Sequence, residues 1–289
     1  MGTQLGLWLL QGLAKLPLSW LRALGALLGH VLFYVVRSRR HVVLTNLRLC
    51  FPEWTAAKRL AVARESFVYF SQAWLDRGWL WHASENCLRQ RLTMSGNLKA
   101  LIERQPTVLF VPHFVGLDAC SVAVILNYQV TMTAITTPQS NKVVDRWVRH
   151  GRLRFGHATL LEQADGIKPI IASMKRGEYL HLSPDMSFGL AQSVFVPFYG
   201  QLAATVPSLS RIAKLGRARV VPMTSRLTKT GYEIVLHDEW ANYPTDDAVA
   251  DTALMNARLE ALINDMPAQY FWVHKRFKTR PVGEASVYE

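Results

Sequence analysis

From Thr107 onward the chain alternates short apolar runs with segments of helical character, and that alternation leaves few folds open. The runs at 107–111, 130–135, 179–183, 218–223 and 232–237 are rich in β-branched and large apolar residues and read as strands. Between them 115–126, 142–154, 167–174 and 206–215 read as helices, the last closed by Gly216. This order predicts an α/β domain with a mostly parallel or mixed central sheet covered by helices. Such a sheet receives its ligand at the carboxyl ends of the strands. Upstream, residues 55–84 carry helical periodicity, with Leu60, Ala63, Phe67, Phe70 and Trp74 on one face.

The amino terminus reads differently. Residues 5–36, LGLWLLQGLAKLPLSWLRALGALLGHVLFYVV, are apolar but broken by Lys15, Pro17 and Arg22, and the uninterrupted part at 23–36 is shorter than the roughly 20 residues of a simple spanning helix. A tilted span and a helix lying in the interface both remain open, as does a buried core helix with a solvated basic end. No basic residue precedes the first apolar run, which argues against a secretory signal. The segment ends in RSRRH, residues 37–41, and positive charge at that point predicts a cytoplasmic side. The expected division is a membrane-anchoring segment at 1–41 followed by one domain at 42–289. A net charge of +12 with 50% hydrophobic residues fits anionic membrane lipid as a partner, and no nucleic-acid-binding signature is present. Cys50, Cys87 and Cys120 are scattered and the histidines show no ligand spacing, so neither a disulfide framework nor a metal is expected.

One stretch, TVLFVPHFVGLDAC, points to chemistry. Pro112 ends the strand, which places His113 at its carboxyl end, and Asp118 falls in the first turn of the next helix beside Gly116. On one continuous helix residues five apart differ by about 140° and do not meet. Across a strand-to-helix turn the carboxylate can fold back to the imidazole, where the helix dipole keeps it ionised. A carboxylate on one ring nitrogen leaves the other free to take a proton from a hydroxyl, so His113 and Asp118 are the expected general-base dyad. The alternative is a helix-start Asp beside an unrelated turn His. No G-x-S-x-G elbow is present, and a dyad of this kind needs no serine nucleophile.

The H-x-x-x-x-D box after an apolar strand resembles that of the glycerolipid acyltransferase superfamily. NLRLCFPEW (46–54), SPDMSFG (183–189), SVFVPFYGQLAATVPSLSRIAK (193–214) and PAQYFWVHKRFKTRPVG (267–283) resemble the late acyltransferases of lipid A biosynthesis, of lauroyl or myristoyl type. The resemblance covers most of the chain in the same order. It implies transfer of a fatty acyl group from acyl carrier protein, or less often coenzyme A, to a hydroxyl of a lipid A precursor, at the bacterial inner membrane with the catalytic domain facing the cytoplasm. It implies no cofactor, the acyl carrier protein being a co-substrate. Arg149, Arg152 and Arg154, with Asp185, are then expected to bind substrate, since guanidiniums suit phosphate. Phe195, Phe198 and Tyr199 are expected to wall an acyl pocket, although core packing accounts for them as well. HKRFKTR (274–280) is a candidate dock for the carrier protein or the membrane, against the bland reading of a solvated tail. Another glycolipid or aminoacyl-lipid acceptor, a hydrolase, and a non-catalytic lipid-binding protein stay open as alternatives.

Overall fold

The structure is a computed structural model that describes residues 2–289. Four helices come first: α1 (Gly2–Leu13), α2 (Leu18–Val35), α3 (Arg37–Cys50) and the long α4 (Ala56–His82). Thr55 caps α4 by accepting from the Lys58 amide. A short α5 (Glu85–Arg91) leads into β1 (Leu92–Gly96), and β2 (Thr107–Phe110) is followed by α6 (Leu117–Tyr128). Then come β3 (Met132–Thr136), α7 (Lys142–Leu153), β4 (Ala158–Glu162), α8 (Ile167–Lys175) and β5 (Tyr179–Leu182). The chain finishes with the hairpin β6 (Val194–Phe198) and β7 (Gln201–Thr205), then α9 (Ser208–Gly216), β8 (Arg219–Leu227), β9 (Tyr232–Leu236) and α10 (Ala248–Asp265).

Seven strands form one sheet in the order β1-β9-β8-β2-β5-β3-β4, parallel throughout except for β8 against β9. The hairpin β6–β7 stands apart as a two-stranded sheet. Alternation along the central strands divides the interior into two cores. Val108 and Phe110 of β2 face one, with Ile170, Ile212 and Leu259 from α8, α9 and α10. Leu109 and Val111 face the other, with Leu88, Val122 and Trp79 from α5, α6 and α4. Both faces of the sheet are covered, as a largely parallel sheet requires.

The amino-terminal helices are not a segment apart. The expected boundary at 41 falls inside α3, whose Val42, Val43 and Leu47 are buried in the first core. α2 packs along α4 through small residues: a Cβ added at Gly29 would lie 2.5 Å from the Val68 Cα, and one at Gly25 2.9 Å from the Gln72 Cα. Arg22, a break in the apolar run, turns inward and pairs with the buried Asp76 at 2.6 Å, and Asp76 also accepts from Trp79 Nε1 and Tyr232 Oη. The opposite side of α2 presents Trp20, Leu24, Leu27, Val31 and Tyr34 to the exterior. Their spacing of four and three residues makes a single apolar stripe. By length and composition α2 is long enough to cross a membrane, yet one side of it is fixed to α4 along its length. Gly29→Val is expected to destabilise the fold by about 1–3 kcal/mol through overpacking, seen as a lowered melting temperature, because the atoms it meets belong to backbone.

Candidate active site

The site is built where β2 ends. After Phe110, Val111 still donates to the Leu182 carbonyl, and Pro112 then closes the strand. The turn that follows is held by the carboxyl-terminal segment: Val115 N donates to the Gln269 carbonyl, and Phe271 N donates to the His113 carbonyl at 3.0 Å. Gly116, which caps α6, has no room for a side chain, since a Cβ there would lie 2.5 Å from the Tyr232 ring.

His113 has a carboxylate partner, and it is Asp185. The His113 Nδ1 lies 2.7 Å from Asp185 Oδ1, the His113 amide donates to Oδ2 at 3.0 Å, and the Tyr270 hydroxyl donates to the same oxygen at 3.0 Å. Burial raises the Asp185 carboxyl, but the charge and the hydrogen bonds of His113 outweigh it and bring it down to about 2. Ionised, Asp185 accepts from Nδ1–H, which fixes the tautomer and leaves Nε2 as the basic nitrogen. Among the described residues no protein group engages Nε2, and His113 lines a large cavity.

Asp118 does not fold back to the imidazole as expected. Its Oδ1 accepts from Arg152 Nε at 2.8 Å and its Oδ2 from Arg77 Nε at 3.0 Å. Two charge-assisted bonds occupy both oxygens, so the acid at the start of α6 serves as a clamp for guanidiniums from α4 and α7. Burial raises the Asp118 carboxyl, and Arg152 and Arg77 more than offset this and hold it well below the ordinary range. Two guanidiniums against one carboxylate leave net positive charge at the cavity wall. Arg152, which lines the cavity, commits only its Nε to Asp118, so its terminal nitrogens can receive an anion.

The other expected substrate-binding residues are placed elsewhere. Arg149 pairs with Glu162 at 3.2 Å, both half-exposed and off the cavity wall. Arg154 donates to the Ala83 carbonyl and stacks on Phe155, which ties α7 to the end of α4. Asp185, also expected to bind substrate, is fully buried, bonds His113 Nδ1 and lies off the cavity wall. Phe195, Phe198 and Tyr199 also lie off the wall: Phe198 packs in the core against Phe277 and Tyr270, and Tyr199 tilts onto Phe51. HKRFKTR is in large part structural. Arg276 is buried and donates to the Ala204 carbonyl and to Thr205, Phe277 is buried, and His274 Nε2 accepts from the Ser187 amide.

The cavity measures about 990 Å³. Its wall is mostly apolar; its polar groups include Asp118, Arg152 and the pair Ser121–His181 at 2.8 Å, and also Gln139, Gln163, Gln192 and Arg211. Burial and the neighbouring Arg152 lower His181 to about 3, so it is neutral at physiological pH. His181 and Asp185 make the fold acid-sensitive with a definite sign. A folded-state value below the unfolded one means that the unfolded chain binds protons first as pH falls. The contribution of His181 is complete above 6.5 and declines toward about 3, and that of Asp185 is complete above 3.8 and declines toward about 2. Melting temperature is expected to fall below pH 6.5, and His181→Gln to flatten the upper part of that fall.

The family model of bacterial lipid A biosynthesis acyltransferases matches residues 1–279. The chain belongs to that family. Its relatives include the lipid A biosynthesis acyltransferase of Haemophilus influenzae, 34% identical over 98% of this chain and 89% of that protein. The lipid A biosynthesis palmitoleoyltransferase of Escherichia coli is 30% identical over 99% of this chain and 94% of its own. The lauroyltransferase of the same organism is 30% identical over the same shares. As a member of the lipid A biosynthesis acyltransferase family the chain is an acyltransferase.

Proposed function

We propose that the protein moves a fatty acyl group from acyl carrier protein to a hydroxyl of a lipid A precursor, with His113 as general base and Asp185 as the carboxylate that orients it. The observation that carries this reading is the imidazole itself, locked by a buried carboxylate at Nδ1 and open at Nε2 on the wall of a large apolar cavity. A thioester is already activated, so a base and an electrostatic stabiliser suffice. The acceptor hydroxyl oxygen attacks the thioester carbonyl as Nε2 takes its proton. The carbon–sulfur bond then breaks, and the imidazolium returns that proton to the departing thiolate, giving an ester and a free thiol. Asp185 stabilises the imidazolium in between. Arg152 offers its terminal nitrogens to a substrate phosphate, a role supported by its fork geometry.

The same reading places the enzyme on the cytoplasmic leaflet of the inner membrane. The apolar stripe of α2 and the exposed Leu5, Trp8 and Leu9 of α1 enter the interface in plane with α2 held against α4, while Arg37, Arg39 and Arg40 meet anionic headgroups. The net charge of +12 favours an acidic donor protein. The test is purified enzyme with lauroyl carrier protein and a tetra-acylated sugar-phosphate lipid, read by mass spectrometry of the lipid. One added acyl mass supports the proposal, and a folded enzyme that adds none to this acceptor contradicts it. Within the same assay Arg152→Ala is expected to raise acceptor KM by about 10- to 100-fold, the value of a charged hydrogen bond. Arg149→Ala, whose pair is exposed, is expected to change it by less than about fivefold.

A further inference from the structure

The cavity wall holds a polar pair that the transfer chemistry leaves unused. Leu117, Ser121 and Ile125 of α6 all line the cavity and follow one another at intervals of one helical turn, with Val122 beside them. Ser121 breaks this apolar face. It stands about 4.5 Å of helix rise beyond Asp118, close to the turn that presents His113. Opposite it is His181 on β5, between its register partners Leu109 of β2 and Ala134 of β3. The His181 Nδ1 lies 2.8 Å from Ser121 Oγ.

His181 is 6% exposed and lines the cavity, yet among the described residues no protein group bonds its Nε2, and protein does not enclose that atom. Burial and Arg152 keep the ring neutral, so it carries one N–H and one lone pair. Two arrangements satisfy the pair. In one, Ser121 donates to Nδ1 and Nε2–H is left as a donor; in the other, Nδ1–H donates to Ser121 and Nε2 is left as an acceptor. In the second the Ser121 hydrogen is free as well, since Oγ makes no other bond. A saturated chain against this wall leaves the remaining valence of a buried imidazole unmade, which is costly. A carbonyl answers only the donor form. A hydroxyl both gives and accepts, so it answers either one.

We propose that Ser121 and His181 together bind a hydroxyl on a fatty chain, near the chain's carboxyl end, and so select a hydroxylated chain over its plain counterpart. The inference rests on the acyltransfer reading above and adds to it a chemical feature of the substrate. Leu117, Val122, Ile125 and Ala134 surround the pair with hydrocarbon, a setting that suits a hydroxyl carried on a fatty chain and not one carried on a sugar. Two substrates of the reaction carry fatty chains, the donor and the acceptor lipid, and kinetics tells them apart.

The test competes dodecanoic acid and 3-hydroxydodecanoic acid against a fluorescent fatty acid bound to the full-length protein, which needs no turnover. Wild type is expected to bind the hydroxylated acid about 5- to 30-fold more tightly, the worth of a hydrogen bond to a group otherwise left unpaired. His181→Leu is expected to bring the two acids to within about twofold. Ser121→Ala, which frees the ring from its fixed position, is expected to lower the ratio at least about threefold. Should the buried His181→Leu change unfold the protein, Ser121→Ala on the cavity wall decides the matter alone. In transfer assays, a hydroxylated donor that loses its advantage in Ser121→Ala assigns the pair to the donor. A rise in acceptor KM with donor ranking unchanged assigns it to the acceptor. Equal binding of the two acids by wild type, or a preference that the folded variants keep in full, overturns the proposal. A preference lost in the variants of a protein that transfers nothing to a sugar-phosphate lipid supports the pair and overturns only the acyltransfer reading.

Discussion

His113→Ala is expected to lower kcat/KM for acyl transfer by about 10²–10⁴, the usual worth of a positioned general base, without unfolding the protein. The imidazole is 28% exposed, so its removal opens no deep void. Asp185, which is fully buried, keeps two of its donors in the variant: the residue 113 amide and the Tyr270 hydroxyl, both at 3.0 Å. A stopped or slowed reaction with an unchanged melting curve and unchanged lipid binding separates an enzyme from a lipid-binding protein of the same fold. Activity within a few-fold of wild type would place the base elsewhere.

Asp118→Ala is expected to act in a different way, and the difference distinguishes the two carboxylates. Removing it leaves the Arg77 and Arg152 guanidiniums facing each other without their shared counter-charge, which costs about 3–5 kcal/mol when such a pair is buried. The lower end is expected here, because the two side chains are 29% and 28% exposed. The melting temperature should drop sharply, and Asp118→Asn, which keeps an acceptor but no charge, should recover part of it. In the Asn variant the kinetic loss is expected in acceptor KM through a displaced Arg152, whereas Asp185→Asn is expected to lose kcat. A pure kcat loss in Asp118→Asn with no change in stability would return Asp118 to the role of partner to His113.

The sequence made the scaffold readable because its signals are local. Four of the five apolar runs and the four intervening helices sit within one or two residues of their expected places, as does α4, since each is set by periodicity and by nearby punctuation such as Pro112 and Gly216, whereas the run expected at 218–223 continues to Leu227 as β8. Residues 248–265 and 92–96 were not anticipated: α10 shows weak amphipathicity and β1 is held mainly by pairing with β9. His113 stood out by its position at a strand end. Its partner did not, because Asp185 lies 72 residues further on and reaches it only when β5 is laid beside β2. The close spacing of Asp118 drew the pairing there, but Arg77 and Arg152 arrive from α4 and α7 and take both oxygens. Phe195, Phe198 and Tyr199, expected on a pocket wall, lie off the cavity for a related reason. An apolar side chain in a wall and one in a core share the same composition, and only the folded chain shows that Met132 and Ala158 line the cavity whereas Phe198 is packed in the core.

The central claim is that Asp185 holds His113 with its proton on Nδ1 and its lone pair on Nε2. Nitrogen NMR of histidine-labelled enzyme, with the His113 resonances assigned by His113→Gln, measures that tautomer directly. The account predicts, at a pH where the ring is neutral, a protonated Nδ1 and a bare Nε2 in wild type and in Asp118→Asn, and loss of that preference in Asp185→Asn. A proton found on Nε2 in the wild-type enzyme, or a tautomer that follows Asp118 instead of Asp185, would contradict it.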